Sequence, residues 1–408
     1  MRQIKTENVV RTRRVFYIPG YDPVHPRRYR ELYRTESAAQ AKVSGYQIGQ
    51  TPKQSKGLYG WHVEASIDGV AVRADVEVLL WSDIVRDSMA SSVPATYLQL
   101  LRTAWIYITT GALGRLMRLR KGPVIAALYP VGMLLVQLLI AIAAPVVLLW
   151  AGRILAGGFG AVIGAGIGLV GMGLILRWFK KKDGKFFAYY LMHDYAFSAR
   201  WRGANPAALE TRMAGFADII AGAMMTDVDE VLVVGHSSGA HLAVSILADL
   251  SRAGRVPADG PALGFLSLGQ VVPMMSFLPD AYRLRADLAD LSAQDAIAWV
   301  DVTAPGDGCA FALCDPVAVS GVGTAGSKWP LVISAAFTQS LAPETWKALR
   351  WRFFRLHFQY LCAFDRPKDY DYFQITAGPM TLADRFAGRV ASTSRIVTPT
   401  SKYRSVAP

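Results

Sequence analysis

The sequence is poor in cysteine and poor in charge. Its three cysteines, Cys309, Cys314 and Cys362, are an odd number without metal-ligand spacing. They fit reduced thiols in a cytoplasmic setting better than a disulfide framework, and suggest no zinc or other metal site. Charged residues make up only 18% of the chain against 52% hydrophobic, and mean hydropathy is +0.25. A soluble enzyme of 408 residues would sit nearer neutral, so membrane segments are sought first. The basic N-terminus, MRQIKTENVVRTRR, has no long apolar run behind it, which argues against a cleaved signal peptide. No internal repeat is visible.

Charge is missing altogether from two long stretches, Val124 to Gly152 and, beyond Arg153, Ile154 to Leu176. A helix needs roughly 20 apolar residues to span a bilayer, so each stretch is long enough. The expectation is a membrane insertion over 97–205, with helices at about 124–150 and 156–177 joined by a turn near Ala151 to Gly158. Pro130 and Pro145 are tolerable kinks in a membrane helix. Gly160, Gly164 and Gly168 share one face, where a neighbouring backbone, in the hairpin or in a second copy, can come close. A buried helical pair in a soluble core and a re-entrant hairpin are the alternatives.

The net charge of +13 has a location. Arg115, Arg118, Arg120 and Lys121 precede the apolar stretches, and Arg177, Lys180, Lys181, Lys182 and Lys185 follow them. By the positive-inside rule both flanks face the cytoplasm, giving a multi-pass protein of the inner or cytoplasmic membrane. Anionic lipid head groups explain the basic residues without any nucleic acid. Two helices lacking ionisable groups offer no ion path, which disfavours a channel.

Outside the insertion the pattern alternates strand and helix. RRVFYIPGYD (13–22) reads as a strand ending in a Pro-Gly turn, with a helix starting near Pro26. Asp68-Gly69 joins two β-rich runs within 60–81 as a hairpin. Leu209, Met213, Phe216, Ile220 and Met224 recur at helical spacing. Short strands follow at 231–234, 263–269 and 296–302, and 345–361 reads as one helix. The order predicts an α/β fold whose mostly parallel sheet, with helices on both faces, is split into 1–96 and 206–390. The Ser-, Thr- and Pro-containing tail, 391–408, reads as disordered.

The strongest chemical signal is VLVVGHSSGAHLAVSIL (231–247). It holds Gly235-His236-Ser237-Ser238-Gly239, a G-x-S-x-G pattern, between a β-branched strand and a helix marked by Leu242, Ile246 and Leu250. A nucleophile elbow needs that strand–turn–helix. Its serine takes a strained turn conformation, and side chains two residues either side would clash, which explains Gly235 and Gly239. An ordinary capping serine is the plainer reading. The Gly-rich run AGGFGAVIGAGIG lies in the membrane stretch and reads as packing, so no nucleotide cofactor is expected.

Here the chain resembles the α/β-hydrolase superfamily, especially lipases and esterases, over most of its length outside 97–205. The resemblance implies chain order Ser, Asp or Glu, His. AWVDVTAPGDG (298–308) offers Asp301 and Asp307, and the loop position favours Asp307. Of six histidines only His357 follows Asp307, and His-x-x-Tyr is similar to some lipase-like members. A helix at His357 departs from the family's loop. The oxyanion hole is expected from the Ser238 N–H and, after the first strand, from the Gly20–Tyr21 turn, with Tyr21 N–H as donor. The implied activity is hydrolysis of an ester or thioester, on a lipid or acylated apolar substrate, by a membrane-anchored serine hydrolase. A catalytically silent membrane scaffold or binding module of the same fold is the alternative.

Overall fold

The computed structural model describes residues 9–54, 57–89 and 92–408. Eight strands form one sheet: β1 (Thr12–Ile18), β2 (Gln47–Pro52), β3 (Gly60–Ile67), β4 (Val70–Val78), β5 (Glu230–His236), β6 (Ala262–Leu268), β7 (Ile297–Thr303) and β8 (Leu331–Ser334). Their order is β2-β3-β4-β1-β5-β6-β7-β8. Only β3 runs against the others, since it pairs antiparallel with β2 and β4 while every other pairing is parallel. The fold is therefore α/β with a mixed, mostly parallel sheet. Strands from before and after the long apolar stretch share it: β1 lies between β4 and β5.

Local chemistry fixes these elements. Asp68 and Gly69 both take positive φ, 53° and 78°, as a tight two-residue hairpin between β3 and β4 requires. Successive residues of β1 point to opposite faces. Val15 and Tyr17 enter a core closed by the helix Arg27–Ser44 and by Tyr360 and Phe373. Phe16 and Ile18 enter a second core under the helices Ala207–Ala223, Gly239–Arg252 and Tyr282–Ser292. Val231 to Val234 are fully buried between the two, which is why β5 reads as an unbroken apolar run.

Three features depart from the sequence expectation. β2 and β8 were not foreseen: β2 (QIGQTP) is an exposed edge without apolar alternation, and β8 has only four residues. The stretch expected as one helix over 345–361 breaks into Pro343–Leu349, Phe353–His357 and a 3₁₀ turn at Gln359–Leu361. The polar tail is tied to the body of the fold by backbone pairing and by Ile396, which packs on the core near Phe311 and Cys314. Ile396 N–H donates to Leu313 O at 2.7 Å and Thr400 N–H to Val319 O at 2.9 Å, while Ser401 is buried.

The apolar stretch is a single long helix, Lys121–Lys181, interrupted by non-helical backbone at Ala156 and Gly157. It is long and apolar enough to cross a membrane, and only 17% of its most apolar window is buried. Backbone from either side of the break meets at the predicted glycines. A Cβ on Gly160 would lie 2.1 Å from Gly152 O, one on Gly164 2.0 Å from Leu148 O, and one on Gly168 2.2 Å from Pro145 Cα. The helices Val93–Thr109, Ala112–Leu119 and Ala188–Arg200 pack around the base of the long helix and tie it to the sheet through Met274, Phe277 and Phe311.

Candidate active site

Ser237 follows directly on β5 and precedes the helix Gly239–Arg252. Its φ of 56° is a left-handed conformation that a non-glycine residue holds only at a cost. The turn is as tight as the glycine pattern demands. A Cβ on Gly235 would sit 2.7 Å from Ala240 Cα, and one on Gly239 2.1 Å from Ile18 O. The turn is also anchored, with Ser237 N–H donating to Leu268 O at 2.9 Å.

Asp307 and His357 meet at the same end of the sheet. His357 Nδ1 lies 2.7 Å from Asp307 Oδ2, with both residues buried. The carboxylate also accepts from Tyr360 O–H at 3.0 Å and from Cys309 N–H at 2.9 Å. Burial pushes the Asp307 carboxyl up, but the nearby His357 and these donors outweigh it and hold the group below its ordinary value. With Asp307 ionised, His357 donates from Nδ1 and leaves Nε2 as the proton acceptor. Asp301 is elsewhere: it accepts from Ser267 O–H at 2.6 Å inside the sheet, and burial raises it to about 8.

His236 was not singled out by the sequence, yet it positions His357. Its Nε2 lies 3.0 Å from the His357 carbonyl, which can only accept, so Nε2 carries the hydrogen. Nδ1 then accepts from Tyr17 O–H at 3.3 Å. Burial lowers His236 to about 3, keeping the ring neutral for that pairing.

The Gly20–Tyr21 loop, expected to supply an oxyanion donor, differs from that expectation in one detail. Tyr21 N–H donates to Ser238 Oγ at 2.9 Å and so is already engaged. Because that oxygen accepts, the Ser238 O–H stays available as a donor beside its own N–H. Gly20 admits this arrangement: a Cβ there would lie 3.0 Å from Ser237 Cβ. Trp81 Nε1–H fixes the loop through Pro19 O at 2.9 Å, and Tyr190 O–H bonds Tyr21 O.

Ser237, Ser238, His357, Gly20 and Tyr21 line one cavity of about 90 Å³. Among the described residues no direct hydrogen bond joins Ser237 to His357. The helix Ala188–Arg200, which follows the long apolar helix, adds Tyr190, Asp194 and Tyr195 to the lining. Asp194 was also missed: it lies in no motif, and only the fold brings it here. Burial raises its carboxyl to about 7. A larger cavity of about 440 Å³, by Trp329, Leu331 and Phe386, holds neither Ser237 nor His357.

Asp307, Cys309 and His357 place ligand atoms within 4.8 Å of one another. Their chemistry fits a hydrogen-bonded pair better than a metal. The Asp307 oxygens are taken by three donors, and burial pushes the Cys309 thiol well up, away from the thiolate a metal binds. Comparison with protein-family models, with curated proteins and with solved structures found no match to this chain.

Proposed function

We propose that the chain is a membrane-anchored serine hydrolase of the α/β-hydrolase type, cleaving an ester or thioester through an acyl-enzyme on Ser237. One observation carries this reading: a serine strained to φ 56° at a strand–helix turn shares a cavity with His357, whose ring is hydrogen-bonded to buried Asp307. Ser237 Oγ attacks the substrate carbonyl as His357 Nε2 takes its proton. The oxyanion that forms is met by Ser238 N–H at the helix N-terminus and by Ser238 O–H. His357 returns the proton to the leaving alcohol or thiol. It then activates a water that releases the acid and restores Ser237. The Ser237–His357 bond forms as substrate closes the cavity, since catalytic hydrogen bonds tighten on binding.

The membrane part of the proposal follows from topology. β1 to β4 precede the long helix and β5 to β8 follow it, all in one sheet. Both ends of that helix therefore lie on the same side of any membrane it enters. The break at Ala156–Gly157 and the backbone contacts of Gly160, Gly164 and Gly168 then support two antiparallel spans. The basic residues at both flanks support a catalytic domain on the cytoplasmic face, and three free cysteines favour the same side. Phe187 packs against Phe354 of the cavity lining at 5.1 Å, which sets aromatic side chains where the basic flank meets the cleft.

The engaged Tyr21 N–H favours a rival, a silent binding module of the same fold, because it removes one expected oxyanion donor. Ester hydrolysis by purified protein separates the two. Ser237→Ala should abolish turnover while melting like the parent, and undiminished hydrolysis by the folded variant would rule out Ser237 as nucleophile.

A further inference from the structure

A second cavity lies directly behind the catalytic one. It measures about 180 Å³ and is walled by the helices Val93–Thr109 and Ala112–Leu119 and by the first turns of the long helix. None of its lining residues is charged. Leu100, Leu116, Val124 and Met192 supply much of the wall. The Tyr107 hydroxyl is spent on Met274 O at 3.0 Å, so that residue presents mainly its ring. Such a chamber gives a charged group no counter-charge, and burying one there is costly.

Two residues, Tyr195 and Met274, line both this chamber and the cavity that holds Ser237. Pro123 lines the catalytic side and its neighbour Val124 the apolar side. The partition is thus thin, and both of its shared side chains can turn about χ1. At the far end Ile108 and Leu128 belong to the lining and are 61% and 42% exposed. The helix carrying Ile108 also leaves Leu98, Leu101 and Trp105 exposed at helical spacing, an apolar face continuous with the long helix. The chamber therefore lies between the Tyr195–Met274 partition, which it shares with the nucleophile's cavity, and the surface that would meet lipid.

We infer that this chamber is an acyl-chain site: it takes the hydrocarbon chain of the ester or thioester whose carbonyl is attacked by Ser237, with entry from the bilayer side past Ile108 and Leu128. The inference rests on the hydrolase reading above and adds the substrate class, a medium- or long-chain acyl ester. The occupant follows from the wall shared with the nucleophile's cavity and from the lack of charge. The volume corresponds to roughly six groups of water size, about the bulk of as many methylenes.

The test uses the full-length protein and two p-nitrophenyl esters, acetate and octanoate. Each buried methylene multiplies binding by about fourfold, so the parent should favour octanoate in kcat/KM by at least about tenfold. Ala127→Trp, which fills the chamber, should erase that preference and leave acetate hydrolysis within about twofold of the parent, because no methylene beyond the acetyl group is lost from burial. Ala104→Phe fills it from a different helix and guards against misfolding of the first variant. The parent itself supplies a readout that needs no substitution. An alkyl fluorophosphonate with a terminal diazirine, bound at Ser237 and irradiated, should crosslink within 100–116 or 124–131. If acetate is hydrolysed but both variants keep the octanoate preference, or crosslinks fall only on Phe354 and Phe358 of the catalytic cavity, the chamber is not the acyl site. If neither ester is hydrolysed and Ser237 takes no probe, the hydrolase reading itself fails, and the acyl-site inference falls with it.

Discussion

The two most apolar parts of this chain solve the same problem in opposite ways. β5 hides Val231 to Val234 completely between two layers of helix. The long helix Lys121–Lys181 leaves Ile154, Leu155, Phe159 and Val162 more than 70% exposed. Both would be driven out of water at roughly 25 cal/mol per Å² of apolar surface. One is covered by protein. The other is left largely uncovered by the chain, and is long and apolar enough to cross a membrane. Burial, rather than composition, is what distinguishes a core strand from a membrane segment.

The same change made in both places separates them. Val233→Arg forces an unpaired cation between two packed layers and should leave no folded protein, checked by circular dichroism. Between the two regions, Asp307→Asn should spare both while lowering kcat by about 10⁴-fold, as loss of the carboxylate that sets the histidine tautomer does in a triad. A drop under tenfold with intact folding would remove Asp307 from the catalytic role. Leu139→Arg comes next. Leu139 is 67% exposed, so in water the change would be harmless. In a bilayer centre it costs about 3 kcal/mol and should shift the protein from the membrane fraction. Unchanged fractionation would put the long helix in water and break the comparison.

The smallest effect concerns buried acids. Asp301, in the sheet, and Asp194, in the cleft, are raised from an ordinary 3.8 to about 8 and about 7 by burial. A raised carboxyl prefers to stay protonated in the folded state. Its contribution to stability is complete below pH 3.8 and is lost as pH climbs through the folded value. Melting temperature should therefore fall between about pH 4 and 8, and Asp301→Asn should flatten part of that fall. A slope identical to the parent's would show that Asp301 does not titrate in this window.

What could be read from the sequence follows the same division. The long apolar run was legible because length alone identifies it. The strand–turn–helix was legible because periodicity changes from 2 to 3.6 at Gly235-His236-Ser237-Ser238-Gly239. The sequence favoured Asp307 over Asp301 as the acid; in the structure His357 Nδ1 lies 2.7 Å from Asp307, and Asp301 accepts from Ser267 instead. Asp194 was not legible, because it sits in no local motif; His236 and Tyr360 sit in the two quoted motifs, but their bonds to the His357 carbonyl and to Asp307 form across the fold and no local pattern announces them. The tail misled for a related reason. Its composition is that of a disordered segment, but its backbone N–H groups find Leu313 O and Val319 O, partners no local pattern announces. Tyr21 misled at the atomic scale: the loop is where it was expected, but the neighbouring Ser238 hydroxyl takes its N–H.

The central claim is that Ser237 is an activated nucleophile. Treating the full-length protein with a fluorophosphonate and mapping the adduct by peptide mass spectrometry tests it most directly. The account predicts one adduct, on Ser237, lost in Ser237→Ala and slowed in Asp307→Asn. A folded protein that takes no label, or takes it at another serine, would contradict it.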